Sequence, residues 1–315
     1  MSVEHLSSAP AIERLVAEID EALGLLEEFT CAHLSAGAED LSPGSLLEQC
    51  LELCAQQEAI RPEPIRLIHH FACTGGTLMT KCIAAMPNMQ ILSEVDPLST
   101  MQLTSGAPRF APTDMVRLVR GSTQGADPEL IIKMFLNNLG IIYSESIKIG
   151  QRLVVRDHAH SHFCFGAEIG NRPSLREIVA SRFPVLSIVS VRHPLDSFLS
   201  IKREGWIHFD PATFDEYCKR YLAFLDRYNN IPVIRYEDFV RAPCETMRKI
   251  CSSLTIPFSS QFINLFSVFK LSGDSGRRGN TIEFKARRQV EKGLLDDLSD
   301  SPNYQALLAI LKYEK

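Results

Sequence analysis

The chain has 315 residues, 45% of them hydrophobic, with a formal net charge of −5 and a pI near 6.0. That content fills one large core or two small ones, and the acidic balance argues against a general nucleic-acid binder, which is normally basic. No apolar run approaches the ~18 residues that span a bilayer, the first residues lack the basic-then-apolar layout of a secretory leader, and nine cysteines without paired spacing fit a reduced, cytoplasmic protein.

Residues 11–29 carry Ile12, Leu15, Val16, Ile19, Leu23 and Leu26, the stripe of an amphipathic helix. Ser42-Pro43 predicts a second helix start, N-cap then proline, running through Leu47, Cys50, Leu51 and Cys54. Cys50 and Cys54 share one face of it and read as buried thiols. Arg61-Pro62-Glu63-Pro64 breaks any helix. The organisation expected is an N-terminal helical extension over residues 1–62 and an α/β domain over 63–315.

The domain opens on its most informative stretch, residues 65–81. Ile65, Leu67, Ile68 and Phe71 lead into Thr74-Gly75-Gly76-Thr77, and a helical pattern follows up to Pro87. Strand, glycine turn and helix start together bring backbone N–H groups and the positive end of a helix dipole to one point, which suits a phosphate. The hydroxyls of Thr74 and Thr77 are candidate extra donors. The Gly-Lys-Ser/Thr ending of a Walker A loop is missing. Further β-rich runs follow at 89–93, 153–156, 185–191 and 232–236. Helices are predicted between them, starting near Asp127-Pro128, at a Ser174/Glu177 capping box and at a Thr213/Glu216 capping box. This alternation predicts a mostly parallel central sheet flanked by helices on both faces. Ligands in such sheets bind beyond the carboxyl ends of the strands.

Those ends carry the chemistry. After the 153–156 run come Asp157, His158, His160 and His162, a dense set of imidazoles. After 185–191 comes Arg192, with Ser200 two helical turns on; an arginine fork beside a hydroxyl suits a phosphate monoester. After 232–236 come Glu237 and Asp238. Near the C-terminus a glycine-rich stretch holds Arg277, Arg278 and Gly279, a second candidate anion clamp.

Taken in order, these segments resemble the PAPS-dependent sulfotransferase family, PAPS being 3′-phosphoadenosine 5′-phosphosulfate. The resemblance covers roughly residues 65–285. It rests on Ala72-Cys73-Thr74-Gly75-Gly76-Thr77 as the 5′-phosphosulfate loop and on Arg192 with Ser200, eight positions later, as the 3′-phosphate pair. Arg156-Asp157-His158 matches the basic residue and catalytic histidine, Tyr236-Glu237-Asp238 the late strand, and Arg277-Arg278-Gly279 the C-terminal loop. The resemblance implies a P-loop-like sulfotransferase fold and transfer of a sulfuryl group from PAPS to a hydroxyl or amine, with no metal. His158 is then the general base. Cys73, Thr74, Gly75, Gly76, Thr77, Arg192, Ser200, Arg277, Arg278 and Gly279 bind the co-substrate. The acceptor, a small molecule or carbohydrate, enters the space bounded by residues 94–113, 157–165 and 203–210.

One position departs from the pattern. The family has lysine or arginine where this chain has Cys73, and losing a cation at a developing charge costs about 3 kcal/mol, roughly 10²-fold in rate. Lys81, leaning back along its helix, is one candidate replacement. Two rival readings stay open: a silent nucleotide-binding protein, and a metal-dependent hydrolase using His158, His160 and His162 on one strand face. Among the remaining residues, His69 and His70 read as loop supports. Tyr236 reads as core and Glu237 and Asp238 as structural. Trp206 and Phe209 read either as acceptor-pocket lining or as packing.

Overall fold

The computed structural model describes residues 17, 20, 62–101, 111–272, 281–284, 286, 290, 294 and 298–314. The predicted helix at 42–54 and the Arg277-Arg278-Gly279 clamp lie outside the described residues, as does the predicted helix at 11–29 apart from residues 17 and 20, which are helical. The chain divides into two compact units, Met1–Pro62 and Glu63–Lys315.

The second unit begins with strand β1 (Ile65–His70), buried along its whole length. Helix α1 (Gly76–Ala84) and strand β2 (Met89–Val95) come next. Asp114 and Asp127 then cap helices α2 (Met115–Arg120) and α3 (Pro128–Lys148), Pro128 standing at the first helical position as the sequence predicts. Strand β3 (Arg152–Asp157) leads to the one-turn helix α4 (His160–Phe163) and the short strand β4 (Phe165–Gly166). Helix α5 (Leu175–Ala180) starts on the complete Ser174/Glu177 capping box. Beyond it lie β5 (Val185–Val191), α6 (Pro194–Glu204), β6 (His208–Phe209) and α7 (Phe214–Arg227). Only half of the Thr213/Glu216 box forms: Thr213 accepts from the Glu216 N–H, while the Glu216 carboxylate takes Arg220 Nε at 2.7 Å instead. The chain closes with β7 (Val233–Arg235), α8 (Tyr236–Arg241), α9 (Pro243–Leu254), α10 (Phe262–Leu265) and α11 (Pro302–Leu311).

Five strands form one parallel sheet in the order β2-β3-β1-β5-β7. Helices cover both faces, and the strand side chains alternate between them. Ile68, Val154, Ile188 and Ile234 pack with Leu78 and Ile83 of α1 and Met247, Ile250 and Leu254 of α9. On the other face Ile65, Leu67, Leu153 and Val155 meet Leu139 of α3 and Val179 of α5. Val189 and Val191 meet an aromatic cluster from α6 and α7 that includes Phe198, Tyr217, Tyr221 and Phe224. The expected α/β architecture with a parallel central sheet is therefore present.

The strand order fixes where a ligand can sit. From β1 the chain leaves toward β2, on one side; from β5 it leaves toward β7, on the other. Neighbouring strands whose connections diverge leave a crevice at their carboxyl ends. Here it falls between His70 of β1 and Ser190 of β5, which are partners in register.

Candidate functional site

The crevice begins with the turn after β1. Cys73 and Gly75 take left-handed conformations (φ +60° and +89°), which folds the chain back so that α1 starts at Gly76. Met79 is the first α1 residue whose N–H meets a helical carbonyl, that of Gly75, at 3.2 Å. The N–H groups of Gly76, Thr77 and Leu78 precede it in the first turn, where a helix supplies no carbonyl of its own, and no side chain caps this one. With the helix dipole behind them, donors in this arrangement suit an anion. The two glycines are required by the packing of the turn itself. A Cβ on Gly75 would come within 2.3 Å of the Tyr236 ring, and one on Gly76 within 2.4 Å of the His70 ring. They let the turn pack onto its own supports.

Thr74 is the clearest correction within this turn. It is fully buried, its N–H goes to the Phe71 carbonyl, and its hydroxyl donates to the carbonyls of Phe71 (2.8 Å) and Ser190 (3.0 Å). Ser190 Oγ returns a bond to the Thr74 carbonyl at 2.7 Å. The N–H is spent within the turn and the hydroxyl on the turn and on β5, so Thr74 braces the site and neither donor is left for an anion.

Arg192 follows β5 and faces the same turn. Its Nη1 lies 3.4 Å from the Cys73 carbonyl and 3.3 Å from Ser200 Oγ. Ser200 comes within reach because α6 carries it two turns on from the strand end, where its hydroxyl also donates to the Asp196 carbonyl. The guanidinium stacks on Tyr236, 4.9 Å from the ring centre, and the Arg192 backbone is clamped at N–H and carbonyl by the Tyr221 hydroxyl. Tyr236, expected as core, thus supports both the Gly75 turn and Arg192. Glu237 is structural as expected: it accepts from the His193 N–H at 3.0 Å and from the Tyr313 hydroxyl at 2.7 Å.

The other half of the site lies at the ends of β2 and β3. Arg156 is completely buried, and its guanidinium reaches the Thr77 hydroxyl in the first turn of α1. It also donates to Ser93 Oγ (2.9 Å) and the Ser272 carbonyl (2.6 Å), and pairs with Glu94 at 2.5 Å. Because the Thr77 oxygen accepts from Arg156, its own proton points elsewhere, and the cation strengthens it as a donor. Cys73 brings no charge, since burial pushes its thiol up to about 11. Lys81 stands in the last turn of α1, roughly 7 Å along the axis from the helix start. Arg156 is a cation that bonds a side chain in the first turn of α1, a contact that sequence reading missed because it treated Arg156 only as the neighbour of His158.

The histidines separate. Strand β3 ends at Asp157, so His158, His160 and His162 do not line one strand face. His158 is partly exposed at the site, and its Nε2 lies 3.2 Å from Glu94 Oε2. His160 is buried behind it, the rings stacked 6.0 Å apart, and burial lowers its pKa to about 3. His162 turns away to the Gly170 carbonyl at 2.9 Å. Among the described residues no group of three or more His, Cys, Asp or Glu side chains is placed to hold a metal ion. His69 and Tyr228 each bond Asp157 Oδ2 at 2.7 Å, fixing the residue between Arg156 and His158 from below. Phe209 is packed in the core under Arg220.

No family model matches the chain, and no curated protein matches it. Among solved structures the chain is similar to sulfotransferases. For the sulfotransferase domain of the curacin biosynthetic pathway the identity is 18%, covering 81% of this chain and 99% of that one, with a TM-score of 0.48. For the sulfotransferase domain of the Synechococcus PCC 7002 olefin synthase it is 16%, covering 81% and 96%, with a TM-score of 0.49. For the sulfotransferase STF9 of Mycobacterium avium it is 13%, covering 84% and 81%, with a TM-score of 0.45. At such values no residue-level correspondence follows. Among the described residues no helix is long and apolar enough to cross a membrane.

Proposed function

We propose that this chain transfers a sulfuryl group from PAPS to a hydroxyl, or an amine, of a small-molecule or carbohydrate acceptor. The observation that carries this reading is the meeting of the Gly75 turn with Arg192. A helix N-terminus and a guanidinium fork paired with a serine hydroxyl, distant in sequence, share one crevice. That donor set suits a nucleotide with anionic groups on both its 5′ and 3′ sides.

Bound there, PAPS supplies a sulfur–oxygen bond whose cleavage releases adenosine 3′,5′-bisphosphate. The N–H groups of Gly76, Thr77 and Leu78 hold the 5′ side, with Gly75 and Cys73 shaping the turn. Arg192 and Ser200 hold the 3′-phosphate, joined by Arg277, Arg278 and Gly279, and fix the nucleotide's orientation. His158 takes the acceptor's hydroxyl proton while that oxygen bonds to sulfur. Arg156, acting through the Thr77 hydroxyl, offsets charge growing on the departing phosphate, the task for which Cys73 has no cation.

Calorimetric titration with adenosine 3′,5′-bisphosphate, followed by PAPS turnover across an acceptor panel, tests this. Binding at micromolar concentration and release of the bisphosphate are expected; absence of binding sinks the reading. A second reading, a silent nucleotide-binding protein, draws support from Glu94, which already neutralises Arg156. Binding without turnover, with activity gained in Cys73→Lys, would favour it.

A further inference from the structure

Strand β2 does not end as a regular strand. Its pairing with β3 runs Leu92 to Val155 and then Val95 to Asp157, so β2 spends one residue more than its partner over that step. The extra residue makes a bulge, and Glu94 within it sits at φ +59°, a conformation that a side chain other than glycine adopts only when its surroundings hold it there. In a regular strand Ser93 and Glu94 would point to opposite faces. Here both meet the same guanidinium, Ser93 Oγ at Arg156 Nε and Glu94 Oε1 at Arg156 Nη2. The second Glu94 oxygen faces His158 Nε2 at 3.2 Å.

We propose that Glu94 is a positioning residue for His158, anchored on Arg156 by one oxygen and holding the imidazole Nε2–H with the other, so that Nδ1 is the nitrogen presented to the acceptor proton. The inference rests on the sulfuryl-transfer reading for its catalytic meaning, and on the bulge for its geometry. A carboxylate already paired with an arginine can only accept, so the nitrogen facing it must carry the proton. That bond then decides the tautomer, because the proton on one ring nitrogen leaves the other with its lone pair. Among the described residues none bonds His158 Nδ1, and the His158 side chain remains 27% exposed. Arg156 gives the arm its rigidity. It is fully buried and held at Thr77, Ser93 and Ser272 besides Glu94, so the anchoring oxygen has a fixed address.

The test is nitrogen-15 NMR of the full-length protein in wild type, Glu94→Gln, Glu94→Asp and Glu94→Ala, with His158 assigned through His158→Asn. Each sample is then titrated with adenosine 3′,5′-bisphosphate. In wild type the proton is expected on Nε2, exchanging slowly enough to be observed. Glu94→Gln should lose this signal and show the proton on Nδ1, because its one amide oxygen stays with Arg156 and its NH2 group faces Nε2. Glu94→Ala loses it through exchange at least about tenfold faster. Glu94→Asp, one methylene shorter, loses it too and keeps the test readable should the alanine variant unfold. A proton on Nδ1 in wild type, or an Nε2–H equally protected in the alanine and aspartate variants, overturns the assignment. Wild type that shows the expected proton yet fails to bind the bisphosphate sinks the transfer reading instead and removes the catalytic role from the contact.

Discussion

The two halves of the site are built on opposite electrostatic plans. At the ends of β1 and β5, Arg192 touches a carbonyl, a hydroxyl and an aromatic face, and the α1 N-terminus adds dipolar donors. Its positive charge has no carboxylate partner among these contacts and suits an incoming anion. At the ends of β2 and β3, Arg156 is buried deeper and is paired with Glu94, which also meets His158. A half that offers unbalanced charge can hold a polyanion. A half whose cation is balanced by an acid fixes geometry, and it adds little to affinity until charge develops beside it. On the proposed reading, the difference separates binding from reaction along a line in the fold, with α1 shared between them.

Losing the proposed base should break that separation most sharply. His158→Ala is expected to lower transfer by about 10²–10⁴-fold while bisphosphate affinity stays within about twofold, read by PAPS turnover and calorimetry. A parallel fall in affinity would mean that the halves are not distinct. Arg156→Met comes next. It leaves the half-buried Glu94 carboxylate without its arginine, so a loss of about 1–3 kcal/mol in urea unfolding is expected. Transfer by the fraction still folded should fall about 10²-fold. Unchanged stability would show that Glu94 finds another partner. Arg192→Ala should do the reverse: bisphosphate affinity falls roughly 10–100-fold, the loss of a charge-assisted contact worth about 1.5–3 kcal/mol, with little change in the unfolding midpoint.

How much of this was legible in the sequence divides along the same line. The binding half is written locally. A glycine turn between an apolar run and a helical pattern, and an arginine with a serine two helical turns on, are features of short segments, and the strand alternation dictates which ends meet. The reacting half depends on facts no short segment carries. The bulge that swings Glu94 beside Ser93 is a mismatch between two strands far apart in the chain. The histidine spacing reads as one strand face only while the strand continues, and it stops at Asp157, where His69 of β1 and Tyr228, just past α7, hold the carboxylate. Thr74 misleads for a related reason. Its hydroxyl looks available until Ser190 of the neighbouring strand supplies the carbonyl that takes it. Tyr236 likewise gains its position from the absence of a Cβ on Gly75, a complementarity visible only when both are in place.

The smallest expected effect concerns protons, and it belongs to the reacting half. His160 sits buried behind His158, with burial foremost and the neighbouring imidazoles of His158 and His208 next in lowering its pKa from 6.5 to about 3. Its folded pKa lies below its unfolded one, so the unfolded chain takes up a proton first as the solution is acidified. The stability tied to a neutral His160 is therefore complete above about pH 6.5 and is lost progressively as pH falls toward 3. Each unit of that window corresponds to about 1.4 kcal/mol, so roughly 2 kcal/mol should be gone by pH 5. His70 and His162, also lowered by burial first, add slope in the same direction. His160→Phe removes one titrating ring, and its urea midpoint should fall less steeply than wild type between pH 6.5 and 5. Bisphosphate affinity measured over the same interval on the folded protein should follow Arg192 and change little with this substitution. If affinity instead tracks the His160 variant, the imidazoles behind His158 communicate with the nucleotide half and the division between binding and reaction fails.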